Sequence, residues 1–195
     1  MSHSLPGRPA PGGAHGPTPA PSEWVRRWTG TLPAGARVLD LACGSGRHLL
    51  WLAARGLQVT GVDRDAGAVE PLRSHAEIVV ADLEAGPWPL PGRHFEAVVV
   101  TNYLWRALLP PIVESVAQGG LLVYETFMRG HEAFGRPSRP EFLLEPGELL
   151  RVVAPLRVVA YEEGLLEAPT RLVQRVCAVR GGPAKLADSF TGSAP

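Results

Sequence analysis

The sequence predicts an open α/β sheet, mostly parallel, with helices on both faces and one antiparallel strand at its end. Three observations carry that prediction. Short runs rich in Val, Leu and Ile alternate with helical patterns along most of the chain, the order that builds a parallel sheet through helical crossovers. Three successive runs close on an acid: Asp40, Asp63 and Asp82. The last two runs, 156–163 and 171–179, are joined by a link too short for a helical crossover, so they should pair antiparallel, directly or around one neighbour.

The elements follow in order. Residues 22–28 form a helix with Ser22 as N-cap and with Trp24 and Trp28 on one face, which either only packs it down or belongs to a helix leaning over the ligand mouth. Arg37-Val-Leu-Asp-Leu-Ala-Cys-Gly-Ser-Gly46 reads as a buried strand and a tight turn, and Arg47–Arg55 as the helix that follows. The glycines let the turn take positive φ and let backbone approach a ligand closely. Asp40, just before the turn, suits an amino group better than a phosphate. Residues 58–63 are the second strand, and Asp63 at its end is placed to accept hydrogen bonds from ribose hydroxyls. A helix over 65–75, capped by Asp65, leads to a strand over 78–83 that contains Asp82 and Leu83. A Pro/Trp loop, 84–94, replaces a clear third helix. A fourth strand starts at Phe95, a helix spans 110–118, a fifth strand starts at Gly119, and a helix covers 146–153. The loop 127–144, at the carboxyl end of the fifth strand, is long enough to be a binding loop or lid. Together Asp40, Asp63 and Asp82 offer partners for an amino acid end, a ribose and an adenine amino group, a set that fits S-adenosylmethionine.

Val38-Leu-Asp-Leu-Ala-Cys-Gly-Ser-Gly46, Gly61-Val-Asp63, Ala81-Asp-Leu83, Phe95–Tyr103 and Gly119–Glu125 occur in that order. On these elements the chain, from about Trp24 to Arg180, resembles the class I S-adenosylmethionine-dependent methyltransferases. Within them, Gly46-Arg-His-Leu-Leu-Trp-Leu-Ala-Ala-Arg-Gly56 looks like the small tellurite-resistance-type enzymes. The resemblance implies a Rossmann-like, doubly wound, three-layer α/β/α fold with seven strands, the last antiparallel. It implies S-adenosyl-L-methionine as cofactor, held by Asp40, Ala42, Cys43, Gly44, Gly46, Asp63, Arg64, Asp82, Leu83 and Thr101. Ala42 departs from the glycine frequent in the family at that position. For the chemistry, Asn102 and Tyr103 at the end of the fourth strand, Glu125 leaving the fifth and His131 in the loop are the candidates. Plainer readings stand beside them: a helix cap for Asn102, an ion pair with Arg129 for Glu125, a solvated loop position for His131. Arg129, Arg136 and Arg139 either greet an anionic acceptor or form a solvated face.

The chain of 195 residues suffices for one domain, with 19 basic and 19 acidic side chains in balance. Such a balance gives no broad footprint for nucleic acid or an anionic membrane, and the expected acceptor is a small molecule. Residues 1–21, with six prolines and four glycines, read as a disordered leader, 22–180 as the domain and 181–195 as a flexible tail. Cys43 and Cys177 make no metal pattern and fit a reducing cytoplasm, with Cys43 as a small turn residue. A nicotinamide oxidoreductase shares the glycine-turn start, but its fingerprint needs a third glycine where Leu49 stands. An RNA or protein methyltransferase would carry the same cofactor elements. A non-catalytic scaffold could keep the fold, but it has no chemical need for the three acids.

Overall fold

The computed structural model describes residues 19–182. Most of the expected leader and tail, residues 1–18 and 183–195, therefore lie outside the described residues. Seven strands form one sheet: β1 (Arg37–Leu41), β2 (Gln58–Asp63), β3 (Glu77–Val80), β4 (Phe95–Thr101), β5 (Val116–Phe127), β6 (Arg157–Glu167) and β7 (Thr170–Val179). Their order is β3-β2-β1-β4-β5-β7-β6. The first five run parallel. β7 lies antiparallel between β5 and β6, so the final pair meets directly, as the short link requires. The order reverses between β1 and β4, and the carboxyl ends of these strands form the crevice where such sheets bind ligands.

Two cores sandwich the sheet. On one face α1 (Glu23–Thr29), α2 (Arg47–Ala54) and α3 (Ala66–Val69) contribute Trp24, Val25, Trp28, Leu49, Leu52 and Val69. On the other, α4 (Leu109–Glu114) and α5 (Glu148–Val152) contribute Leu109, Ile112, Val113 and Leu149. β1 and β4 supply both cores because alternate residues of a strand point to opposite faces: Val38 and Val99 go one way, Leu39 and Val98 the other.

Three helices are shorter than the sequence pattern implies. The stretch 65–75 is one α-helical turn capped by the Asp65 side chain, then a 3₁₀ segment, Glu70–Ser74. Pro71 removes a donor and makes the continued α-helix unfavourable. The fourth helix ends at Glu114 because β5 already starts at Val116, and the fifth starts at Glu148 after Gly147 in the left-handed region. Trp24 and Trp28 are buried and meet edge to face at 5.5 Å, so they pack α1 against the sheet. No helix among the described residues is long and apolar enough to cross a membrane.

Candidate functional site at the carboxyl ends of the strands

The glycine turn sits where β1 hands over to α2. Gly44 and Gly46 have φ of 53° and 80°, values that glycine adopts without the steric cost of a Cβ. Ala42 takes φ 54°, a left-handed position that carries strain of about 1 kcal/mol for an alanine. This left-handed φ is a conformational reason for the glycine frequent, in the family that the chain resembles, at the position where this chain has Ala42. A further glycine sets how closely α2 packs. A Cβ on Gly61 in β2 would lie 2.6 Å from Leu49 Cδ1 and 3.1 Å from Cys43 Sγ. Leu49, standing where a dinucleotide fingerprint has its third glycine, is thus accommodated by the missing side chain of Gly61.

Asp63 closes this turn from the next strand. Its Oδ2 accepts from the Gly44 N–H at 2.8 Å and its Oδ1 from the Asp65 N–H at 3.0 Å. Each oxygen keeps a lone pair for a ligand hydroxyl. Asp82 lies two residues beyond β3, exposed, with Oδ1 accepting from the backbone of Glu84 and Ala85. Asp63 and Asp82 line a cradle of about 170 Å³ with Ala42, Arg64, Leu83 and Tyr103. Asp40 lies under the turn, 1% exposed, and its Oδ2 has no hydrogen-bond partner among the described residues. Burial pushes its carboxyl up to about 7, against the Leu49 N–H and the Arg47 charge, which pull it down, while Asp63 adds to the rise. The Tyr103 hydroxyl is also buried without a partner, and burial raises it above its ordinary value, with Glu84 and Asp82 adding to the rise.

Across the end of β4 lies a second, larger chamber of about 770 Å³. Tyr103 faces the cradle and Asn102, with φ 54°, faces the chamber. Its lining includes Pro19, Ala20, Pro21 and Ser22, the rings of Phe127, His131 and Phe134, and the arginines Arg47, Arg136, Arg171 and Arg175. Three residues of the expected leader, 19–21, thus border this chamber.

Glu125 is fully buried beside it. Both its oxygens accept from the Ser22 hydroxyl at 3.2 Å, and the guanidiniums of Arg171 and Arg175 lie 3.5 and 3.6 Å away. Its ion pairs are with these two residues rather than with Arg129, which pairs with Glu145 at 2.9 Å. Arg139 pairs with Glu141 and covers Phe142. His131 is not solvated but 4% exposed, stacked on Phe127 at 4.3 Å. Its Nδ1 accepts from the Leu172 N–H at 3.3 Å, so Nε2 carries the proton and donates to the Arg136 carbonyl at 3.2 Å. With both nitrogens engaged, His131 anchors the loop 127–144. The base of that loop is closed by backbone bonds from Leu144 to Phe127 and from Arg129 to Leu144.

Thr101 is buried, bonds His48 Nδ1 at 3.3 Å and is not among the residues lining the cradle. His48 is 2% exposed, and burial, with help from the Arg47 charge, pushes it down to about 3. It is therefore neutral at ordinary pH. Its Nε2 accepts from the Ser22 N–H at 3.1 Å, which leaves the proton on Nδ1 to donate to Thr101. Cys43 is buried in the turn, and its thiol is raised by burial and by Asp40 and Asp63, opposite to an activated nucleophile.

The structure thus gathers Asp40, Ala42, Cys43, Gly44, Gly46, Asp63, Arg64, Asp82, Leu83 and Tyr103 around the turn and cradle, and Asn102, Glu125 and His131 around the chamber. Sequence reasoning missed Ser22, Arg47, Arg171 and Arg175 as site residues. The last two are four residues apart in a strand and share a face, and Arg175 stands opposite Glu125 in the β5–β7 register.

Residues 38–120 match the family model of a methyltransferase domain. The ribosomal protein L11 methyltransferase of Bordetella parapertussis is 43% identical over 99 residues, which cover 47% of this chain and 31% of that protein. The trans-aconitate 2-methyltransferase of Paracidovorax citrulli is 34% identical over 105 residues, 48% of this chain and 40% of that protein. The chain thus spans well under half the length of these curated relatives. Among solved structures, a TehB-like SAM-dependent methyltransferase from Corynebacterium glutamicum superposes with a TM-score of 0.60 at 19% identity, over 81% of this chain and 87% of that one. The stretch matched by the family model runs from the first strand through Gly120 and includes all three aspartates with the glycine turn between the first two; residues 38–120 are a methyltransferase domain, similar to those of the class I S-adenosylmethionine-dependent enzymes.

Proposed function

We propose that residues 22–180 transfer a methyl group from S-adenosylmethionine to a small-molecule acceptor seated in the chamber beside β4. The observation that carries the cofactor half is the orphaned, fully buried Oδ2 of Asp40 beneath the glycine turn. A buried acceptor atom without a donor costs free energy, and the ammonium of an amino acid moiety is the complementary donor. Asp63 has free lone pairs for ribose hydroxyls, and Asp82 stands at the far wall of the cradle for an adenine amino group. When bound, the cofactor supplies a methyl group already activated by a positive sulfur.

The residues of the chain position and enclose. Asp63 braces the turn through Gly44, so the backbone lining the cradle is held before any ligand arrives. Asn102 presents its amide at the partition between cradle and chamber. His131 and Glu125 are committed to other partners, so the reading assigns them to shaping the chamber rather than to proton transfer. The two curated relatives are named for a ribosomal protein and for trans-aconitate, and so do not choose an acceptor class. The size and walls of the chamber support the small molecule.

Calorimetric titration with S-adenosylmethionine and S-adenosylhomocysteine, with NADH as control, tests the reading. Micromolar binding of the two sulfur ligands alone is the expected result. No heat from either, or binding of NADH, overturns it.

A further inference from the structure

We propose that the chamber selects an organic carboxylate with a flat apolar body, and that Arg47 and Arg171 hold its negative end. This rests on the reading of the chamber as the acceptor site and names the acceptor's chemical class.

Four arginines line the chamber and differ in what they already hold; Arg136, on the loop, is exposed to water. Arg175 is committed: it pairs with Glu162 and Glu125 and covers the Trp24 ring at 4.8 Å. Arg171 is satisfied at one end only. Its Nη1 lies 3.5 Å from Glu125, while its Nε is buried with no partner among the described residues, on a side chain 18% exposed. Arg47, in the first turn of α2, is half-buried and makes no ion pair among the described residues. Burial lowers its guanidinium from the ordinary value, with Glu125 opposing and Arg171 adding to the fall. A guanidinium taken out of water without an anion is costly, and that cost falls when an anion enters. The carboxylates do not cancel this inside the chamber. Glu125 is already shared between two arginines, Glu162 is bound to Arg175, and Glu23 and Glu167 are exposed at the rim. The guanidinium fork matches a carboxylate in two parallel hydrogen bonds.

The apolar half of the ligand is read from the aromatic part of the lining. Phe127, His131 and Phe134 form a row, with ring centroids 4.3 and 6.4 Å apart. Phe134 at its end is 48% exposed and turned to the chamber. Such a row offers ring faces and edges to a flat apolar body. Asn102 lines the same chamber and is followed in the chain by Tyr103 of the cradle.

The test is calorimetry on the full chain, with and without saturating S-adenosylhomocysteine, using sodium cinnamate, its neutral amide cinnamamide, and inorganic phosphate. Cinnamate should bind, with cinnamamide and phosphate each weaker by about tenfold or more. Arg47→Gln and Arg171→Gln should each weaken cinnamate by about tenfold while leaving the weaker cinnamamide binding unchanged, and Arg171→Gln should keep S-adenosylhomocysteine affinity. Arg171→Gln removes a partner of Glu125 and can fail to fold; Arg47→Gln carries no such risk and decides alone in that case. Absence of cinnamate binding, equal binding of cinnamate and its amide, or undiminished binding by Arg47→Gln overturns the proposal. Phosphate binding as tightly as cinnamate overturns the organic body. Binding of S-adenosylhomocysteine without cinnamate leaves the cofactor reading standing alone, and the reverse leaves the anion site standing without it.

Discussion

Replacing Asp40 by asparagine separates a buried charge from its shape. Burial raises this carboxyl from its ordinary 3.8 to about 7 in the folded chain, whereas in the unfolded chain it ionises at the ordinary value. The folded state therefore holds the proton more tightly. Stability linked to Asp40 is fully present below the unfolded value of 3.8 and is lost as pH rises through about 7. A shift of that size corresponds to about 4 kcal/mol at its upper limit. Asparagine resembles the protonated acid and cannot ionise, so its own burial cost is the same at every pH. The stability of Asp40→Asn relative to the parent should climb by up to about 4 kcal/mol between about pH 4 and about pH 8. Urea unfolding at several pH values, with the slope checked for constancy, measures it. A difference that stays flat with pH refutes the argument that Asp40 is a strained, unpartnered carboxylate. The same variant should bind S-adenosylmethionine tens-fold more weakly at about pH 8, a loss of about 2 kcal/mol for a hydrogen bond to a charged group.

Asp63→Ala should weaken the cofactor by tens-fold, about 2–3 kcal/mol, since it removes ribose acceptors and frees the Gly44 N–H they brace; unchanged affinity by calorimetry rejects the assignment. Gly61→Ala should lower stability by about 1–3 kcal/mol, because its Cβ enters space held by Leu49, Cys43 and Ile78; an unshifted unfolding midpoint rejects the close packing of α2 on β2. Glu125→Gln should cost about 1–3 kcal/mol by leaving Arg171 and Arg175 facing a neutral amide. That loss should appear in thermal unfolding with cofactor affinity preserved, and loss of affinity alone would place Glu125 in the ligand shell.

The sheet was legible because buried parallel strands must be near-continuous apolar runs: Val98, Val99 and Val100 in β4 allow little else. The candidate cofactor edge was legible because the glycine turn and the two later aspartates each lie at or just past the end of such a run. Element lengths were not. Pro71 cuts one helix short, and the early start of β5 ends another. The chamber was least legible, since its charges come together only through the fold. Ser22, Glu125, Arg171 and Arg175 belong to three distant parts of the chain. Loop histidines and arginines drew attention because they cluster in sequence, yet Arg129 and Arg139 pair locally. The effective arginines are hidden in the alternation of a strand and in the first turn of a helix.

The position of β7 has a consequence for synthesis. The last strand of the described chain is not at the sheet's edge but inserted between β5 and β6, so β6 has no strand to pair with until β7 leaves the ribosome. Until then Glu125 also lacks both guanidiniums, which arrive on β7. A nascent chain can complete the five parallel strands and the glycine turn first. The half proposed to bind the cofactor is thus ready before the half proposed to choose the acceptor; on that reading, chains stalled before residue 170 should bind S-adenosylhomocysteine without a competent chamber beside it.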